Sequence, residues 1–276
     1  MKDKISMGSV SEKLLNYIDS AQVHDSYYEI ALTMVRNYED VKQMSIAEMA
    51  DLCYVSQATV SRFCRFLGYD SFRQFHEDLN FEFRLMDDYT KQFQSILKSN
   101  DFKAADLYRE TILGNLEYAL NEDNIRNIRA AADMIHESGK TAFFSHHFLY
   151  DCGHYFQSKM ILMDKYVETF QFYEGQLKCA ASLDENSVAV ICSVTGTYFS
   201  YYSNLVHAIV SSGAKLIVIT QNTEANYINF ADLVIDCGMT NRNDTGKYAV
   251  LAVLDMLVFI YMKRCWQRNT GDYNEQ

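Results

Sequence analysis

Ser193, Thr195 and Thr197 alternate with Val194 and Gly196 directly after the apolar run Ser187–Cys192. Three hydroxyls and a glycine stand at the end of a strand-like segment, just before a helical pattern that begins near Tyr198. Such a group can hold a phosphate: hydroxyls and free helix-start amides donate, and glycine lets the anion reach the backbone. The same residues suit a plain strand-to-helix turn in which Ser and Thr only cap, and the pattern alone leaves both open. His147, Asp151 and His154 recur at helical spacing, a set whose chemistry suits zinc. A polar helix face gives the same spacing, and we read it as that face, with no metal and no cofactor. The aromatic group Tyr198, Phe199, Tyr201 and Tyr202 can stack on a sugar or fill a core or dimer interface. Neither a Ser-His-Asp arrangement nor a Walker loop is present.

A second set of residues carries a different chemistry. Ser56, Gln57, Ala58, Thr59, Ser61, Arg62 and Arg65 lie on the outer or flanking surface of one short helical pattern that holds no acid from Ser56 to Leu67. Hydroxyl and amide groups at the helix start and two arginines one turn apart suit a major groove. The elements that must position them are legible. Ser45 and Glu48 form a capping box, Ile46, Met49 and Ala50 make one apolar face, and Leu52 to Val55 is the turn. Ser56 caps the second helix, Val60, Phe63, Cys64 and Leu67 point inward, and Gly68 ends it in the left-handed region. Spacing alone leaves an operator reader and a solvated helical hairpin both open.

Around these two sets the chain has 276 residues, 49% hydrophobic and 22% charged, enough for two domains. A net charge of −11 argues against a protein that coats nucleic acid nonspecifically, and leaves room for a reader with local basic residues. Seven cysteines without CxxC spacing read as buried thiols of a reducing compartment, hence a cytoplasmic protein. The N-terminus lacks the apolar core of a signal peptide. The longest apolar stretch, Tyr248 to Met262, is too short to span a bilayer and carries Asp255, so no membrane partner is expected.

The order of patterns predicts one helix over Lys13 to Tyr38 and another from Ser71 to Met86, with Phe72, Phe75, Leu79, Phe83 and Met86 at helical spacing. A polar stretch follows. Helices over Ala104 to Leu120 and Ile125 to Glu137 come next. Apolar runs at 141–145, 166–170, 187–193, 215–220 and 233–237 then alternate with helical patterns at 149–163, 198–212 and 224–231, before a closing helix from Tyr248 to Trp266. Alternation of this kind gives a parallel sheet covered on both faces.

The wording Ser45 to Phe75 resembles the helix-turn-helix of the RpiR (MurR/RpiR) family of bacterial transcription regulators. The resemblance rests on Ser45-Ile46, Glu48, Ala50, Val55-Ser56, Ala58-Thr59-Val60, Arg62-Phe63-Cys64, Leu67-Gly68, Phe72 and Phe75. The stretch from Ala104 to Trp266 is similar to the SIS (sugar isomerase) domain that follows it in that family, through Ser193-x-Thr195-Gly196, Gly213 to Thr220, Ala231-Asp232 and Ala252 to Asp255. The resemblance implies an all-α helix-turn-helix domain over residues 1–86, a linker over 87–103, and a C-terminal α/β domain over 104–276. That second domain would be a flavodoxin-like sandwich, a parallel sheet flanked by helices. It implies a double-stranded DNA operator, a phosphorylated sugar effector and a homodimer or higher homo-oligomer. It also implies a transcription regulator of carbohydrate metabolism rather than an enzyme, with Ser193, Thr195, Gly196 and Thr197 on the phosphate.

This chain departs from the family at two places. Where the family has Gly-x-Gly-x-Ser after its first strand, this chain has Ser145-His146-His147-Phe148-Leu149, so Ser145, His146 and His147 would line an altered pocket. Ser200 stands where the family prefers Glu, which weakens isomerase chemistry. The alternatives are a sugar-phosphate isomerase-type enzyme, and a regulator whose vestigial pocket works through protein partners. An anion beside the histidines would draw them toward protonation, giving tighter binding at about pH 6 than at about pH 8.

Overall fold

A computed structural model describes residues 8–80, 96, 98–239 and 243–270. The chain divides into two compact units, Met1–Ser99 and Asn100–Gln276.

The first unit is helical. Ser9 caps α1 (Val10–Ser20), and the segment expected to be one helix through Tyr38 is instead three: α1, α2 (Ser26–Arg36) and α3 (Tyr38–Val41). Asp25 makes the break. Its Oδ1 accepts from the amides of Tyr27 and Tyr28 at 3.0 and 3.1 Å, starting α2 afresh, and from the Tyr17 hydroxyl at 3.0 Å, which ties α1 to that new start. α4 (Ile46–Leu52), α5 (Gln57–Phe66) and α6 (72–80) follow. Leu14, Ile30, Met34, Met49, Phe63, Leu67, Phe75 and Leu79 are fully buried together. Each such side chain contributes about 1.5–3 kcal/mol of transfer free energy, so the α4–α5 pair is held by its core more than by its turn. Phe83 and Met86 lie outside the described residues.

In the second unit α7 (Asp101–Ala119) begins three residues before the expected Ala104, because the Asn100 side chain accepts from the Lys103 amide at 3.0 Å. Asn121 starts α8 (Glu122–Glu137) in the same way. The strands are β1 (Lys140–Phe144), β2 (Val167–Thr169), β3 (Ser187–Cys192), β4 (Lys215–Thr220) and β5 (Leu233–Asp236). All pair in parallel, in the order β2-β1-β3-β4-β5. Every residue of β3 is buried, as a central parallel strand requires. This is a flavodoxin-like order, and it reverses between β1 and β3, so a crevice opens beyond the carboxyl ends of those two strands.

The connecting helices are α9 (Phe148–Met160), α10 (Tyr173–Ala181), α11 (Thr197–Tyr201), α12 (Ser203–Ser211) and α13 (Asn243–Thr270). α10 was not expected from the sequence. The pattern over 198–212 splits at Tyr202, and that over 224–231 is a 3-10 turn, Asn226–Phe230. The closing helix runs well beyond the expected Tyr248–Trp266, and its stretch Thr245–Gln267 reaches the length and hydropathy of a membrane span. It is a core helix here. Ala249, Val250, Val253, Leu254, Leu257 and Tyr261 are buried, and it packs on α7, α8 and α9.

Candidate functional site

The reading unit is built by two helix ends of the same kind. At the end of α4, the Val55 amide reaches the Ala50 carbonyl at 2.9 Å and the Tyr54 amide reaches Asp51 at 3.1 Å, with Tyr54 at φ 54°. At the end of α5, the Tyr69 amide reaches Cys64 at 3.0 Å and Gly68 reaches Arg65 at 3.1 Å, with Gly68 at φ 94°. Both are Schellman closures, which fix where the chain leaves each helix. The capping box on α4 is complete: the Ser45 amide donates to Glu48 Oε2 at 2.8 Å and the Glu48 amide to Ser45 Oγ at 3.3 Å.

On α5 the expected division of faces holds. Val60, Phe63 and Cys64 are buried, while Gln57, Ala58, Arg62 and Arg65 are exposed. Ser56 and Thr59 spend their hydroxyls locally. Ser56 Oγ accepts the Thr59 amide at 3.2 Å, the two hydroxyls meet at 2.9 Å, and Arg62 Nη2 donates to Thr59 Oγ1 at 3.3 Å. Thr59 therefore also orients Arg62 on the exposed face. Ser61 is half-buried on the flank. Neither arginine forms an ion pair among the described residues, so both charges are open to phosphate.

At the crevice between β1 and β3 the structure brings Ser145, His146 and Thr197 together, with Ser193, Thr195 and Gly196 on the same loop. The His146 ring sits 3.3 Å from Thr197 Oγ1 through Nε2, and packs edge-on against Tyr198 and Tyr202. Ser193 Oγ accepts the Tyr198 amide at 3.2 Å, so the second amide of α11 is already taken. Gly196 stands at φ 83°, and a Cβ there would run into Tyr227 Oη. Tyr227 lies stacked on Phe199 and bonds to Thr220 and the Asn222 carbonyl, so it covers the glycine. Among the described residues of this unit, four buried polar side-chain atoms have no partner: Ser145 Oγ, His146 Nδ1, Thr169 Oγ1 and Thr195 Oγ1. All four lie at the carboxyl edge of β1, β2 or β3, where an unpaired buried group costs about 1–3 kcal/mol. Their clustering makes this edge the candidate site of the second unit.

His147 is exposed and holds φ 55°, ψ −146°, a backbone conformation almost confined to glycine. The backbone thus keeps a shape suited to glycine while the side chain is imidazole.

Burial sets the electrostatics of the unliganded crevice. Burial, reinforced by neighbouring His147, lowers the His146 pKa to about 3. Without a ligand His146 is therefore neutral from pH 6 to pH 8 and supplies neutral hydrogen-bonding groups to the crevice. Among the described residues no three metal-binding side chains gather; His154 Nδ1 meets Gln157 Oε1 at 3.1 Å instead.

Two residues that organise the edge were missed from the sequence. Gln176, on the unexpected α10, is 1% exposed. Its Nε2 donates to the carbonyls of Ser145 and Phe170 at 2.8 and 2.7 Å, and its Oε1 accepts from Tyr198 at 2.6 Å. It joins the ends of β1 and β2 to the start of α11. Tyr227 was the other, and only its tertiary position over Gly196 reveals it.

Residues 12–84 match the helix-turn-helix domain of the rpiR family. Over 257 residues the chain is 23% identical to an uncharacterised HTH-type transcriptional regulator of Haemophilus influenzae, covering 90% of this chain and 89% of that protein. Among solved structures it is similar to the Vibrio vulnificus NanR protein complexed with ManNAc-6P. That match is 15% identical, covers 95% of this chain and 97% of the other, and has a TM-score of 0.50. It is also similar to the sugar isomerase domain of an RpiR transcription factor from Sphaerobacter thermophilus, 14% identical over 60% of this chain and 94% of that one, with a TM-score of 0.50. At these identities the structural likenesses establish the fold. The N-terminal unit carries an rpiR-type helix-turn-helix, and the C-terminal unit has the sugar isomerase domain fold.

Proposed function

We propose that this rpiR-type helix-turn-helix transcriptional regulator controls genes of carbohydrate use from an operator, and is itself controlled by a phosphorylated sugar held at the β1–β3 edge. The DNA reading is carried by α5: its outer face presents Gln57, Arg62 and Arg65 with no acid, on a helix pair fixed at both ends. The effector reading is supported by the unpaired polar atoms of Ser145, His146 and Thr195 beside Thr197 and Gly196. NanR, which shares the fold, is complexed with a phosphosugar. In this reading residues 1–86 bind DNA, 87–103 link, and 104–276 bind effector. The protein works in the cytoplasm and performs no catalysis.

A dimer supports the operator reading, because paired half-sites need paired heads. The surface that suits it is α13, whose exposed Phe259, Met262 and Trp266 form one strip at helical spacing. Sedimentation of the full chain at micromolar concentration tests it; a monomer would place the contact elsewhere.

The test of the effector is a thermal-shift panel of hexose, pentose and N-acetylamino-sugar phosphates. At a hundredfold excess over Kd, a ligand bound to the native state alone stabilises it by about 2.7 kcal/mol. A shift with one class and loss of operator binding, or gain of it, supports the proposal. One observation favours the second reading, a pocket without effector: His146 and Tyr227 already occupy Thr197 and the face of Gly196. Absence of any shift across the panel, with intact operator binding, would establish that reading.

A further inference from the structure

We infer that Tyr54, in the turn of the reading unit, is a DNA-backbone contact that anchors the entry of α5 into the groove. This rests on the DNA-binding reading above and adds a residue outside the expected reading set.

Two observations carry it. Tyr54 is held in the left-handed region at φ 54°, where a side chain other than glycine or asparagine is strained, and it is 96% exposed. Among the described residues its ring pairs with no other ring and its hydroxyl with no polar group, so a side chain this exposed adds little to the fold. Glycine would make the same Schellman closure without strain. A bulky aromatic kept at a strained and fully exposed position points to a partner outside the chain.

The geometry names that partner. The Val55 amide on Ala50 and the Ser56 cap on Thr59 fix Tyr54 between the end of α4 and the start of α5. In a helix-turn-helix the first helix crosses the sugar–phosphate backbone, and the start of the second meets base edges. A side chain projecting from between them lies beside the backbone. There a phenol can donate to a phosphate oxygen while its ring covers deoxyribose, a contact that positions the protein without reading sequence.

The test uses the full chain and two probes: a duplex of about 30 base pairs selected by the wild-type protein from a random library, and an unselected duplex of that length. Tyr54→Gly should melt at or above the wild-type temperature and lose affinity about tenfold on both duplexes. Tyr54→Phe should lose about fivefold, the worth of one hydrogen bond. The salt slope should stay unchanged in both, because the phenol carries no charge, whereas loss of an arginine contact lowers it. Should Tyr54→Gly melt lower, Tyr54→Asn, which also tolerates the left-handed region, provides the same comparison. Wild-type affinity in the glycine or asparagine variant would overturn the assignment, and so would a loss confined to the selected duplex. A wild-type chain that enriches no duplex at all would instead overturn the DNA-binding reading itself.

Discussion

Replacing His146 should remove a specific acid weakness. In the folded chain its pKa is lowered to about 3, with burial the larger cause and His147 the smaller. In the unfolded chain an imidazole titrates near 6.5. A depressed folded pKa means that the unfolded state takes up the proton first. The stability is therefore fully present above about pH 6.5 and is lost as pH falls toward 3. Each unit is worth about 1.4 kcal/mol, so at pH 4.5, two units below the unfolded value, this one group accounts for about 3 kcal/mol. That is a large fraction of the stability of an ordinary domain.

The assay is urea unfolding at several values between pH 7.5 and pH 4.5, for wild type and His146→Gln. The chain has one tryptophan, Trp266, on α13, so its fluorescence reports the second unit. Carboxylates and the other histidines titrate in both proteins and cancel in the comparison. Because glutamine repacks against Tyr198 and Tyr202, the two proteins start from different stabilities at pH 7.5, and only the pH-dependent part decides. The gap between the two curves should change by about 3 kcal/mol over this range in favour of the variant. Parallel curves would refute the reasoning, because they would mean that His146 is protonated or exposed in the fold.

Arg65→Ala should weaken binding on every duplex and lower the salt slope by about 0.9, while Gln57→Ala should relax base preference with the slope unchanged; titration of selected and unselected duplexes across salt separates the two. Gly196→Ala should destabilise the second unit by about 1–3 kcal/mol, since the residue holds φ 83° and its Cβ would displace Tyr227; urea unfolding followed at Trp266 measures it. Gln176→Leu should cost on the order of 3 kcal/mol, by leaving the Ser145 and Phe170 carbonyls and the Tyr198 hydroxyl unpaired, and the same unfolding measurement reads it.

What could be read from the sequence was what local chemistry decides. Ser45 with Glu48, Ser56, and Gly68 after Leu67 are start and stop signals whose partners lie within a few residues, so the reading unit was legible almost to the residue. The strands of the second unit were legible because β3 and β4 are buried on both faces and read as continuous apolar runs. Asp25 was missed as a helix start because the apolar stripe of α2 looks continuous with α1 when its cap is ignored. α10 was missed because nine residues burying only Gln176, Cys179 and Ala180 leave too short a period to detect. The burial of His146 was not legible for a deeper reason: the sequence shows an imidazole near hydroxyls, and only tertiary packing sets Tyr198 and Tyr202 around it.

That packing also constrains how a ligand could act. A ligand shifts this protein only through different affinity for two arrangements of it. Much of the cradle is already used internally: Thr197 by His146, Ser193 by the Tyr198 amide, and the face of Gly196 by Tyr227. A phosphate that takes Thr197 has to move the His146 ring, and one that approaches Gly196 has to move Tyr227. The ring of His146 rests on Tyr198 and Tyr202, and Tyr198 is bonded through Gln176 to the ends of β1 and β2. Displacing one imidazole therefore disturbs two strand ends and the break between α11 and α12 at Tyr202. The unpaired Ser145, His146 and Thr195 atoms supply the opposing gain, since each that meets a ligand atom recovers about 1–3 kcal/mol. Binding and rearrangement at this edge would then be one event, coupled through His146.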